Sequence, residues 1–191
     1  VLRNKRPAEL NIAIEVDWEA YLMLCNILEN PYIKVYNVDA LDYLRGFEPD
    51  ENTLIYTDPP YLPSTRKSGK LYRHEYTEAD HVALIKHLRC LWPTMIMISG
   101  YRSELYFDML GDWNQYEFDT MTRRGPATEY LWFNYRWPNK LHDYSHLGST
   151  FRERERITRK QKRLLANLGK MPELERNALL NHIKNRFKEE R

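Results

Sequence analysis

Only two cysteines occur in the 191-residue chain, Cys25 and Cys90, both in largely apolar, helix-like surroundings and without paired spacing. That excludes a disulfide framework and a cysteine-based zinc site, and it fits a reducing compartment. His81, His87, His142, His146 and His182 show no metal-ligand spacing, so no metal chemistry is assigned to them. No apolar run approaches the roughly 18 residues that a membrane span requires. The opening VLRNKRPAEL lacks the apolar core of a signal peptide. A cytoplasmic protein is expected.

What remains is enough for an ordinary globular unit, with 42% hydrophobic residues to fill a core. The net charge of +2 hides an imbalance, because Phe151 to Leu164, FRERERITRKQKRL, carries seven basic and two acidic residues. Basic character is concentrated near the C-terminus.

Apolar runs alternate with helical patterns along the chain. Residues 10–16 (LNIAIEV) read as a strand and DWEAYLMLCNILEN after them as a helix with Asp17 as N-cap. Residues 33–38 and 53–57 are short and rich in β-branched or aromatic side chains, as strands are. Thr77 with Asp80 makes an approximate capping box ahead of HVALIKHLRCLW. Residues 94–99 (TMIMIS) are almost continuously apolar, which is how a strand covered on both faces reads. SELYFDML reads as a short helix, and YEFDTMT and TEYLWFNY as two strands with Gly125 and Pro126 supplying the turn. The sum predicts an open α/β sheet with helices on both faces, closed by a terminal antiparallel hairpin. Residues 1–136 form the core on this reading and 137–191 a helical extension. The extension is expected to be a hairpin, with Gly169 ending one helix, Pro172 opening the next, and Leu179, Leu180, Ile183 and Phe187 inside.

Ligands of such sheets bind outside the carboxyl ends of the strands. Acidic residues stand there three times: Glu15 and Asp17 after the first strand, Asp39 after the second, Asp58 after the third. Asp58 opens the stretch Asp58-Pro59-Pro60-Tyr61, whose consecutive prolines end regular structure because neither can donate a backbone hydrogen bond.

These residues resemble DNA adenine-N6 methyltransferases of the D12 (Dam-like) class, particularly compact phage and prophage members. The matching stretches are TDPPYLPSTRKSGKLYRHEYTEADH (57–81), MISGYRSELYFDML (97–110) and TEYLWFNY (128–135), with LGSTFRERERI (147–157) as a weaker match. The resemblance implies a class I, Rossmann-like sheet and DNA methylation of the restriction-modification kind, with S-adenosyl-L-methionine as methyl donor. It implies that the Asp58 carboxylate and the Pro59 carbonyl accept the two hydrogens of the adenine amino group, within a rigid turn completed by Pro60. Tyr61 stacks on the base after flipping, since the target atom cannot be reached inside the duplex. Glu15 is implied as the ribose ligand, with Asp17 as its competitor. Asp39 and the Ala40 N–H are implied at the adenine ring of the cofactor.

Two departures set further expectations. Such enzymes carry a glycine-rich F-x-G-x-G turn after their first strand, yet no two of the seven glycines here are spaced G-x-G and no strand precedes residue 10. The first, central strand is therefore expected to be missing. A wide gap or a detached strand is expected between residues 10–16 and 53–57, and S-adenosylmethionine should bind weakly. Only 18 residues separate Asp39 from Asp58, too few for an inserted recognition domain. Nucleic-acid contact is expected instead from Arg66, Lys67, Lys70, Tyr72 and Arg73, cations interleaved with aromatics. The alternatives are methylation of an RNA amino group and a non-catalytic remnant that still binds nucleic acid.

Overall fold

A computed structural model describes residues 8–28, 30–66, 69, 72–122, 125–141, 144–145 and 147–187. The chain divides into two compact units, Val1–Trp137 and Pro138–Arg191.

In the first unit, β1 (Asn11–Ile14) and β2 (Ile33–Tyr36) pair in parallel, with Asn11 opposite Ile33 and Ile14 opposite Tyr36. Between them runs α1 (Trp18–Ile27). Its first turn starts at Asp17, whose side chain accepts from the Glu19 and Ala20 amides and satisfies N–H groups that have no partner inside the helix. Asp39 does the same for α2 (Ala40–Arg45) through the Leu41 and Asp42 amides.

A second sheet is built from β3 (Leu54–Thr57), β4 (Met95–Gly100), β5 (Asn114–Thr122) and β6 (Gly125–Phe133), in the order β3-β4-β6-β5. β3 and β4 are parallel, with Thr57 opposite Ile98, whereas β6 enters antiparallel between β4 and β5. The β3–β4 crossover contains α3 (Glu78–Arg89), opened by a reciprocal capping box of Thr77 and Asp80. α4 (Glu104–Leu110) follows β4, capped by Ser103.

The core lies on this second sheet. α3 buries His81, Leu84, Ile85 and Leu88, one stripe at i, i+3, i+4 and i+7, in a cluster with Ile96, Ile98, Leu110 and Trp132. Burial of each such apolar side chain contributes about 1.5–3 kcal/mol. The first sheet is thinly anchored by comparison: Asn11 is its only buried strand residue, and α1 buries none.

The chain is thus mixed α/β, but not a single continuous sheet. Among the described residues no ladder joins β1 to β3, so the break falls between the strands where the gap is expected. Gly125 and Pro126 are not turn residues. They open β6, opposite Thr122 and Met121, and Gly125 takes the left-handed φ of 111°.

The second unit holds α5 (Phe151–Lys170) and α6 (Glu173–Arg186). α5 runs through Gly169 to a cap at Met171 rather than ending at the glycine, Pro172 opens α6 as expected, and neither helix has a fully buried residue among those described. Leu180, Ile183 and Phe187 are exposed rather than inside. No helix among the described residues is long and apolar enough to cross a membrane.

Candidate active site

The carboxyl ends of β3 and β4 meet at Asp58. Because Thr57 pairs with Ile98, the next residue on each strand brings Asp58 beside Ser99. The buried Ser99 hydroxyl donates to Asp58 Oδ1 at 2.8 Å and lies 3.3 Å from the Thr57 carbonyl. It also lies 3.0 Å from the Tyr56 hydroxyl. Ser99 has one hydrogen, and the short contact to a carboxylate takes it, so Tyr56 is the donor to Ser99. Burial raises the Tyr56 pKa, which keeps that hydroxyl protonated. The result is a directed chain, Tyr56 to Ser99 to Asp58. The other carboxylate oxygen makes no hydrogen bond among the described residues, and Asp58 itself is exposed.

Pro59 is buried beneath it and Pro60 half-buried, so the two prolines fix the backbone that carries the carboxylate. Tyr61 meets Tyr101, the residue after β4, edge to face with ring centroids 4.5 Å apart. Burial, and then the Asp58 carboxylate, push the Tyr61 hydroxyl far above the usual tyrosine range. Burial and Glu129 raise Tyr101 in the same direction. Both rings therefore stay neutral, flat and half-exposed beside Asp58.

Behind the motif lies His81, fully buried, with Nδ1 2.9 Å from the Tyr106 hydroxyl and its ring edge-on to Tyr76. Its Nε2 makes no full hydrogen bond, although the Pro60 carbonyl acts on the ring as an acceptor. Desolvation dominates and lowers the His81 pKa.

The acids of the first sheet divide by role. Asp17 is committed: Oδ1 caps α1, Oδ2 accepts from Arg73 at 2.8 Å, and the Ala20 amide, then the Arg73 charge, lead in lowering its pKa. Glu15, half-buried at the end of β1, accepts from the Asp17 amide through Oε1 at 2.9 Å and makes no other side-chain bond among the described residues. Asn37 ties the β1 end down through the Glu15 and Val16 carbonyls. Asp39 caps α2 through Oδ1, and Ala40 is the first residue of that helix, where amides lack intrahelical partners. No hydrogen bond or ion pair among the described residues joins Glu15 or Asp39 to Asp58.

The loop after the motif differs most from expectation. The Arg66 side chain is only 4% exposed, and its fork meets both oxygens of Glu75, at 3.1 and 2.5 Å. Its guanidinium stacks over the Tyr72 ring at 5.3 Å, while the Tyr72 amide donates to Glu75 at 2.9 Å. Arg73 bridges Asp17 and Glu19 at 2.8 and 3.0 Å. Lys67 and Lys70 lie outside the described residues. The two arginines thus serve internal ion pairs, Arg66 from a buried position and Arg73 from an exposed one.

Sequence reasoning assigned no role to Ser99, Tyr101 or Glu75. The signal for the first two was their place at the carboxyl end of the strand beside Asp58. Glu75 had no signal, since nothing in the sequence pairs it with Arg66. No group of histidine, cysteine or acidic residues among those described is arranged to hold a metal ion. No protein-family model matches the chain, and no curated protein matches it significantly.

Proposed function

We propose that the chain belongs to an S-adenosylmethionine-dependent methyltransferase that acts on the adenine N6 amino group in DNA. The observation that carries the reading is the Asp58 carboxylate, held at one oxygen by Ser99, open at the other, and flanked by the Tyr61–Tyr101 pair. An exocyclic amino nitrogen is a poor nucleophile because its lone pair is delocalised into the ring. Asp58 and the Pro59 carbonyl accept its two hydrogens and turn the lone pair out of the ring plane. Tyr61 takes the face of the flipped base. Orientation and fixed electrostatics then supply the rate.

The sheet order supports the same reading. An antiparallel last strand inserted between β4 and β5, with a break between β1 and β3, fits a Rossmann-like methyltransferase sheet with no strand at the break among the described residues. The cofactor supplies the electrophilic methyl group when bound. Its ribose and adenine ends fit the residues present, since Glu15 keeps an oxygen free of side-chain bonds among the described residues and Ala40 offers a helix-start amide. Its methionine end finds no glycine turn, because the chain has no G-x-G.

The test is transfer of labelled methyl groups from S-adenosylmethionine to duplex DNA, with N6-methyladenine identified by mass spectrometry. Transfer by the parent chain and none by Asp58→Ala, with cofactor affinity nearly intact, is expected. Methylation of RNA alone would move the substrate assignment to RNA. The sheet break favours a second reading, a nucleic-acid-binding remnant, for which the expected result is duplex binding with no methylation of either nucleic acid.

A further inference from the structure

Within α5, eight cations face two carboxylates, a net of +6 in a chain whose total is +2, so everything else sums to −4. At 3.6 residues per turn, Arg152, Arg156, Arg159, Lys160, Arg163 and Lys170 fall within an arc of about 100°. Ile157, Leu164 and Leu168 lie on a different face. Arg156, Arg159, Lys160 and Arg163 line one concavity.

The carboxylates of the helix do not neutralise this stripe. Glu153 turns back to its own N-terminus, where the Ser149 hydroxyl and amide bind it and lead in lowering its pKa. Its contact with Arg156 is long, at 3.6 Å, as is that of Glu155 with Arg159, at 3.9 Å. Arg152, Lys160 and Arg163 have no acidic partner among the described residues. The two arginines expected to bind phosphate in loop 62–76 are engaged in ion pairs with Glu75, Asp17 and Glu19.

We propose that the α5 stripe is a phosphate-backbone binding surface for nucleic acid, independent of the loop beside Asp58. From Arg152 to Lys170 it runs about 27 Å at 1.5 Å per residue. That matches about eight phosphates of one strand spaced about 3.4 Å along the axis. Arginine dominates the arc, and its forked donors suit phosphate oxygens without reading bases. The proposal rests on the nucleic-acid part of the reading above but not on methyl transfer.

The experiment measures binding of the full chain to a short fluorescent DNA duplex over a range of sodium chloride concentrations. A variant carrying Arg156→Gln, Arg159→Gln, Lys160→Gln and Arg163→Gln should lower the slope of log affinity against log salt by about 3.6, at about 0.9 per phosphate contact. Helicity by circular dichroism confirms folding, and a second variant with the three arginines changed to lysine should keep most of the slope. An unchanged slope in the glutamine variant overturns the proposal. So does binding to phosphatidylserine-containing vesicles with none to duplex, which would make the stripe a membrane-surface element. Methyl transfer on the same duplex is scored separately, so loss of the catalytic reading leaves the slope result standing, and the reverse.

Discussion

Replacing Arg66 by Met tests whether loop 62–76 is organised from within. The Arg66 side chain is 4% exposed and that of its partner Glu75 20%. Breaking a fully buried ion pair costs about 3–5 kcal/mol, because the surviving charge stays desolvated. Glu75 is nearer the surface, so the lower end, about 3 kcal/mol, is the expected size. The loss should fall on the loop rather than on the core, because Glu75 can reach water by local opening. At about 1.4 kcal/mol per decade, the protection of the Tyr72 amide against hydrogen exchange should drop about a hundredfold. That amide is the reporter because it donates to Glu75 itself. Adding Glu75→Met should restore much of the protection by replacing the pair with apolar contacts. Unchanged loop protection together with weakened duplex binding would refute the reasoning and return Arg66 to the nucleic-acid surface.

On the proposed methyl-transfer reading, Ser99→Ala should lower the rate constant by roughly ten- to a hundredfold with little change in KM, since it removes a charge-assisted hydrogen bond worth about 1.5–3 kcal/mol. Ser99→Thr should recover part of it. His81 is held neutral by burial, with Asp80 and the Pro60 carbonyl opposing and Arg66 reinforcing the shift. The unfolded state therefore binds more protons below pH 6.5, and stability should fall as pH drops through that value, by up to about 1.4 kcal/mol per unit. Urea midpoints at successive pH values should show this dependence flattened in His81→Gln.

Strand and helix positions were legible in the sequence where pattern and cap agreed. Thr77 with Asp80 marked α3, and the apolar run 94–99 marked β4. The hairpin turn was misplaced because Gly125 and Pro126 carry turn chemistry yet pair with Thr122 and Met121. A left-handed glycine at a strand start and a turn glycine look alike in sequence. The expected burial of Leu180, Ile183 and Phe187 failed for another reason: periodic apolar residues show which face is apolar, not what covers it. At the site, Asp58 and Tyr61 were legible as a motif, whereas Ser99 became visible only through the register of β3 against β4. The loop cations misled, because the sequence shows charge but not the carboxylate that will meet it.

The two halves of the candidate site differ in how firmly they are held. Asp58, Ser99 and Tyr101 stand on β3 and β4, whose faces carry the buried cluster of Ile96, Ile98, Leu88 and Trp132. Glu15 stands at the end of a two-stranded sheet with little buried surface, whereas Asp39 caps α2, whose Leu44 belongs to the buried cluster with Leu41 packed against it. The first sheet's ion-pair links to the rest of the unit among the described residues are Arg73, 61% exposed, reaching to Asp17 and Glu19, and His74, 3.8 Å from Asp17, while Tyr36 of β2 meets the Tyr43 ring of α2. Exposed ion pairs contribute little, whereas productive geometry between two reacting groups must hold to about 0.5 Å. The free edges of β1 and β3 offer backbone donors and acceptors that such a bridge leaves without strand partners. Precision at Asp58 is therefore intrinsic to the well-packed sheet, while precision at Glu15 depends on whatever pairs those edges. Any assay of methyl transfer by this chain measures the second quantity at least as much as the first.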